Sequence, residues 1–226
     1  MRKIDSLFQK NEKKYWLVYT IIFVLITAAV FSFFTFSGRT LVRRLDAWMQ
    51  HYKALIYYAR WLRSIVMNVV ENHSFSIPSY SFSMGYGSDI ITTLHYYVIG
   101  DPLNLLCLFV PVRYMYHLYG GLIILRLYLA GISFSCFCFY MGRDRKSTLT
   151  GALVYIFSGF SLCYSVINPY FVNPMIYFPL LLLGVEKILK EKSLVYLSGW
   201  YFCLQSAIFI CSFDSVSGIS SVRARI

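Results

Sequence analysis

A polytopic all-α membrane protein, a bundle of helices crossing a bilayer several times, is the fold this sequence predicts, and three observations predict it. Hydrophobic residues make up 58% of the 226-residue chain and aromatic ones 19%, against 14% charged, where soluble domains average about 25% charged. Uncharged apolar runs recur, and about 20 residues at roughly 1.5 Å each span a hydrocarbon core of about 30 Å. The basic residues behind the net charge of +11 collect at the ends of those runs, which is how membrane segments are oriented. Distributed in that way, they argue against a nucleic-acid partner.

Taken in order, Met1 to Lys14 is a basic flank carrying Arg2, Lys3, Lys10, Lys13 and Lys14, the kind that stays in the cytoplasm. Residues 15–36 follow without a charge and form the first span. The run is too long for a signal peptide, and no small-residue cleavage site follows it. Residues 37–115 are expected to be an extracytoplasmic region with structure of its own. Within it, Leu45, Trp48, Met49, Tyr52, Leu55, Ile56, Ala59, Leu62 and Val66 recur at three- and four-residue steps, the stripe of an amphipathic helix over about 45–67. Arg43, Arg44, Lys53, Arg60 and Arg63 flank or oppose that stripe. A basic amphipathic helix directly after a span is expected to lie in the lipid interface; packing on a soluble domain is the competing reading. The Ser-, Tyr- and Gly-rich stretch 74–89 reads as loop, and the short apolar run 103–112 as a re-entrant or interfacial piece.

Residues 116–141 form the second expected span, with Arg126 inside it. An arginine at a helix centre costs about 2.5 to 3.5 kcal/mol on insertion scales, so Arg126 should face a polar cavity or a carboxylate. The basic turn with Arg143, Arg145 and Lys146, the third span at 149–166, the uncharged turn from Asn168 to Pro174, the fourth span at 174–187, the basic turn with Lys187, Lys190 and Lys192, and the fifth span at 194–213 complete the chain, with 214–226 as a tail. All the basic turns agree with a cytoplasmic amino terminus.

Six cysteines, Cys107, Cys136, Cys138, Cys163, Cys203 and Cys211, sit almost entirely inside apolar runs without metal-ligand spacing. They are expected to be small buried hydrophobes. Chemistry concentrates instead in Gly85 to Leu106, where Asp89, His95 and Asp101 stand among glycines and tyrosines in a chain poor in acidic residues. No glycine-rich phosphate loop is present, so a donor carried by the membrane fits this chain better than a soluble nucleotide.

Several motifs together carry a resemblance. Asp46 with Gln50, His51 and Tyr52, then Gly85 to Asp89 through Gly100-Asp101-Pro102, then Ile124-Leu125-Arg126 to Gly131, and Asn173-Pro174-Met175 with Gly184 to Lys187, are together similar to the amino-terminal part of the YfhO family of bacterial membrane proteins, over roughly residues 31–206. The family is regarded as polyprenyl-phosphate-sugar-dependent glycosyltransferases of GT-C architecture, linked to teichoic acid glycosylation. The resemblance implies a GT-C-like amino-terminal part in the bacterial cell membrane. It also implies inverting transfer of a sugar from an undecaprenyl-phosphate-linked donor to a cell-envelope polymer acceptor on the outer face. Asp46 matches the position of the catalytic base, and a carboxylate ionised at neutral pH is suited to accept a proton from an acceptor hydroxyl. Asp89 and Asp101 are expected to orient the acceptor or to hold a divalent cation, Mg or Mn, since hard oxygen ligands suit these metals. Arg126, with Arg43, Arg44 or Arg60, is expected to pair with the lipid phosphate. His51 and His95 complete the substrate-binding candidates.

Each candidate also has a structural alternative. Asp46 can cap the interfacial helix, Asp101 before Pro102 can be a turn residue or a cap, and Asp89 can be a second cap. His95 can be a packed aromatic, and Arg126 can neutralise a buried carboxylate for folding. The chain departs from the family pattern at Leu45 and Ala47, where glycines are usual, and at Lys53, where a proline is usual. Family members continue through many further spans, so the chain is expected to be a truncated or frame-altered amino-terminal portion. The competing function is a non-enzymatic multi-pass membrane protein, either a transporter component or a scaffold.

Overall fold

The computed structural model describes residues 10–44 and 46–191. The start of the basic flank, the expected fifth span at 194–213 and the tail at 214–226 lie outside the described residues. Helix α1, Lys10–Phe36, is all but free of breakers and stops at Gly38. This glycine takes the left-handed conformation, with φ of 62°, and lets the Arg39 amide reach back to the Phe34 carbonyl at 2.8 Å, a glycine-terminated helix end. Helix α4, Met115–Tyr140, ends in the same way. Gly142 has φ of 74°, and the Arg143 amide donates to the Cys138 carbonyl at 3.0 Å.

The expected third span is two helices rather than one. Helix α5, Arg145–Ile156, and helix α6, Gly159–Ile167, meet at a bend of 42°. The cause is local: the Ser158 hydroxyl accepts from the Ser161 amide at 3.3 Å and starts a new helix, as serine does at an N-cap. Helix α7, Asn173–Glu191, follows a single 3-10 turn at Pro169–Val172. By length and composition, 14–34, 112–140 and 169–190 are long and apolar enough to cross a membrane, and the bent pair makes up to a fourth crossing among the described residues.

Pro179 lies inside α7 and has no N–H to give to the carbonyl four residues earlier. That carbonyl, of Met175, accepts instead from the Tyr155 hydroxyl of α5 at 3.1 Å. Helix α1 is tied to α4 by comparable bonds from its tyrosines. The Tyr15 hydroxyl pairs with Ser135 Oγ at 2.8 Å, and the Tyr19 hydroxyl donates to the Tyr128 carbonyl at 2.9 Å. Gly131 leaves the space that the Tyr19 ring fills. In lipid, where apolar burial adds little between helices, such small-residue contacts and hydrogen bonds hold spans together.

Residues 37–114 fold onto the first half of α4. A π-helical turn, Ala47–Tyr52, runs directly into α2, Lys53–Asn72. The side chains buried are Ala47, His51, Ala54, Leu55, Tyr58 and Ala59, while Trp48, Met49 and Val66 are exposed. The expected stripe is therefore rotated, because a π turn places more residues per turn than an α turn and shifts the phase of everything before Lys53. The buried face packs on protein, against Ile90, Leu94, Val98, Cys107, Met115 and Leu122. One side of the helix thus packs on protein, while Trp48, Met49 and Val66 of the expected stripe stay exposed on the other.

The loop 74–89 closes in a two-residue antiparallel ladder, β1 (Tyr80–Ser81) with β2 (Ser88–Asp89), in the register Tyr80 to Asp89 and Ser81 to Ser88. It is pinned to α2 by the Trp61 indole donating to the Pro78 carbonyl at 2.9 Å. Helix α3, Ile90–Leu94, continues as a π turn to Ile99. A 3-10 segment at Pro102–Leu108 and another at Val112–Tyr114 then lead into α4. The carbonyls at the end of the first 3-10 segment are taken up by the Arg63 guanidinium, which donates to those of Cys107, Leu108 and Val110.

Among the described cysteines, Cys107 is buried, Cys136 and Cys138 are half-buried and Cys163 is exposed. The expectation of small buried hydrophobes therefore fails at Cys163, whose position on α6 turns away from the neighbouring helices.

Candidate functional site

Arg126 makes four side-chain hydrogen bonds, to three partners. Its Nη2 reaches Asp101 Oδ2 at 2.5 Å and Asn104 Oδ1 at 3.0 Å. Its Nε reaches Asp101 Oδ2 at 3.1 Å and Asn173 Oδ1 at 3.0 Å. Asn173 Nδ2 also donates to Asp101 Oδ2 at 3.0 Å. The remaining carboxylate oxygen, Oδ1, accepts from the Leu103 amide at 2.9 Å and starts the 3-10 segment. All four side chains are buried. Asp101, Asn104, Arg126 and Asn173 thus join the loop before α4, the middle of α4 and the start of α7. Arg126 lies roughly 17 Å along α4 from Met115 at about 1.5 Å per residue, so the loop carrying Asp101 reaches down to the middle of that helix. Irregular backbone at such depth is tolerated where protein surrounds it.

Both oxygens of Asp101 are engaged in this network, and Arg126 points into it. Beside it lies a small cavity of about 20 Å³, lined by Arg126, Asn104, His51, Tyr97, Tyr119 and Tyr170 among others, with room for about one water. The buried hydroxyls of Tyr119 and Tyr170 have no hydrogen-bond partner among the described residues. His51 donates from Nε2 to Asn168 Oδ1 at 2.7 Å. Burial pushes the His51 imidazole below its ordinary value, and the bond to Asn168 opposes that.

Asp89 caps α3, with Oδ1 accepting from the Thr92 amide at 2.6 Å. That bond holds its carboxyl below the usual range. His95 is half-buried, with Nδ1 donating to the Thr92 carbonyl at 2.5 Å. No group of three or more His, Cys, Asp and Glu side chains able to hold a metal ion occurs among the described residues.

Asp46 sits apart from these. Its backbone is already helical, with φ of −57° and ψ of −42°, and its side chain makes no cap bond, which removes the capping alternative. It is exposed. Gln50 Nε2 donates to its Oδ1 at 3.3 Å, and Gln50 Oε1 accepts from the Tyr97 hydroxyl at 3.2 Å. Immediately before it runs a groove of about 740 Å³ at the end of α1, lined by Phe34, Leu41, Val42 and Val166 together with Arg39, Arg43 and Arg44. A second hollow, of about 620 Å³, shares Val42 and Arg44 and adds Trp48 and Met49. The three arginines are exposed and enter no ion pair among the described residues. Arg60 is exposed on α2 and lines neither hollow.

The fold therefore brings Asp101 and Arg126 together and sets His51 beside them, and it leaves Asp46 exposed, two residues after the arginines in sequence but not among the lining of either hollow. Sequence reasoning missed Asn104, Asn173 and Arg39. An asparagine inside an otherwise apolar run was the available signal for the first two, since a polar side chain in such a place needs a partner.

Comparison with known proteins adds one match. The model of the family described as bacterial membrane protein YfhO matches residues 18–213, a stretch that extends past both ends of 31–206. No curated protein and no solved structure matches the chain. The apolar helices, the irregular region docked on α4 and the family match agree, and the chain belongs to the YfhO family of bacterial membrane proteins.

Proposed function

We propose that this protein is a membrane glycosyltransferase. It transfers a sugar from an undecaprenyl-phosphate-linked donor to a hydroxyl of a cell-envelope polymer such as teichoic acid, on the outer face of the bacterial cell membrane. The observation that carries the reading is the groove at the end of α1. It joins apolar walls to three arginines, Arg39, Arg43 and Arg44, that form no ion pair among the described residues and that shortly precede the exposed Asp46 in sequence. A lipid phosphate needs both features, since its tail seeks apolar surface and its charge seeks guanidinium forks.

In this mechanism Asp46 takes the proton of the acceptor hydroxyl while that oxygen attacks the anomeric carbon. The bond from that carbon to the phosphate oxygen breaks, and the polyprenyl phosphate leaves with the electron pair. The arginines stabilise the charge that develops on it. Arg126 and Asp101 serve as the frame that docks residues 101–108 on α4 and α7, rather than as ligands of the donor. Asp89 serves chiefly as the cap of α3.

The test is transfer by the full-length protein in lipid nanodiscs supplied with labelled undecaprenyl-phosphate sugar and acceptor. Asp46→Asn is expected to lower transfer by at least a hundredfold with donor retention unchanged. Replacing Arg39, Arg43 and Arg44 with glutamine is expected to weaken donor retention. Undiminished transfer by Asp46→Asn removes Asp46 from the mechanism. Absence of both donor retention and transfer in the unmodified protein favours a scaffold or transporter component.

A further inference from the structure

A second basic hollow lies at the opposite end of α1 from the arginine groove, about 380 Å³ in volume and bounded by Lys14, Tyr15 and Val18 of α1 and by Arg145, Lys146 and Leu149 of α5. We propose that this hollow binds the phosphate headgroup of an anionic phospholipid and so clips the start of α1 to the start of α5. Its three cations are exposed and enter no ion pair among the described residues. The adjacent carboxylate, Asp144, is turned onto the helix, where it accepts from the Ser147 amide at 3.0 Å, and it pairs with none of the three cations among the described residues. The volume is more than ten times the roughly 30 Å³ share of one water, and Tyr15, Val18 and Leu149 give the hollow an apolar wall on the side facing along the helices. Basic pockets between membrane helices favour anionic headgroups for these reasons.

The position suits a lipid rather than a soluble anion. Lys14 opens the apolar stretch 14–34 and Arg145 opens the bent pair that begins there, so the cations stand where two spans leave the hydrocarbon. On the same side of the bundle, Lys187 and Lys190 already lie over the Tyr140 ring, and Lys190 pairs with Glu186 at 2.9 Å. Those two lysines therefore provide a control that removes two cations outside the hollow.

The experiment is native mass spectrometry of the full-length protein released from mixed micelles that hold phosphatidylglycerol and phosphatidylcholine in equal amounts. Phosphatidylglycerol is expected to be retained in preference. The combined Lys14→Gln, Arg145→Gln and Lys146→Gln variant is expected to lose that preference by on the order of a hundredfold, from roughly fivefold per cation. The Lys187→Gln and Lys190→Gln pair is expected to keep it. Three results each overturn the proposal: an unchanged preference in the triple variant, equal retention of both lipids by the unmodified protein, or displacement of phosphatidylglycerol by excess inorganic phosphate, which identifies a free anion as the ligand. The outer arginines are untouched in these variants, so the outcome is independent of whether the protein transfers sugars.

Discussion

The hydroxyl of Tyr155 on α5 donates to the carbonyl of Met175 on α7 at 3.1 Å, the carbonyl that Pro179 deprives of its helical donor. A proline-interrupted helix is thereby repaired from a neighbouring one. Because Ser161 donates to the Tyr155 carbonyl at 3.0 Å, the same tyrosine also anchors the first turn of α6.

This repair has a direct test. Tyr155→Phe leaves a buried carbonyl unpartnered and is expected to destabilise the protein by about 1 to 3 kcal/mol. Pro179→Ala restores the missing N–H, so the loss should be smaller when Tyr155→Phe is made in that background. Thermal unfolding of the four proteins in one detergent measures the coupling. Equal losses in both backgrounds remove the link between Tyr155 and Pro179.

The Asp101 and Arg126 pair predicts a second asymmetry. Asp101→Asn strands a buried guanidinium and is expected to cost about 3 to 5 kcal/mol, whereas Asp101→Asn with Arg126→Met, which removes both charges, should cost less. The readout is the yield of folded, membrane-inserted protein and its unfolding temperature. A double variant worse than the single one would mean that the network does more than neutralise charge.

Acid sensitivity follows from His51. Its folded value lies below the ordinary 6.5 because burial disfavours the imidazolium. Between the two values the unfolded chain binds more protons than the folded one, so stability rises with pH there. Unfolding temperature should fall as pH drops through about 6.5 towards the lower folded value. His51→Gln should flatten that part of the curve while leaving the neutral range little changed. A slope that survives the substitution assigns it to another histidine.

The membrane spans were legible because composition and run length speak directly about solvent, and so was the need of Arg126 for a carboxylate. Its partner was not, because Asp101 lies 25 residues away in the chain and only the descent of the 3-10 segment along α4 brings them together. The alternatives considered for Asp89 included the cap that it forms. For Asp46 the capping alternative failed, since Asp46 already has helical dihedrals and precedes a π turn. That same turn put Trp48 and Met49 out of phase with the stripe that α2 continues. The division of the third expected span was signalled by Ser158-Gly159, a cap pair inside a run whose hydropathy alone reads as continuous.

One consequence of the Asp101, Asn104, Arg126 and Asn173 network concerns synthesis. The counter-charge is translated before the charge it serves, since Asp101 and Asn104 precede α4. When Arg126 leaves the ribosome, its neutralising partner already exists in the nascent chain, and Asn173 arrives later to complete the shell. The order of residues along the chain thus spares the inserting helix a solitary cation.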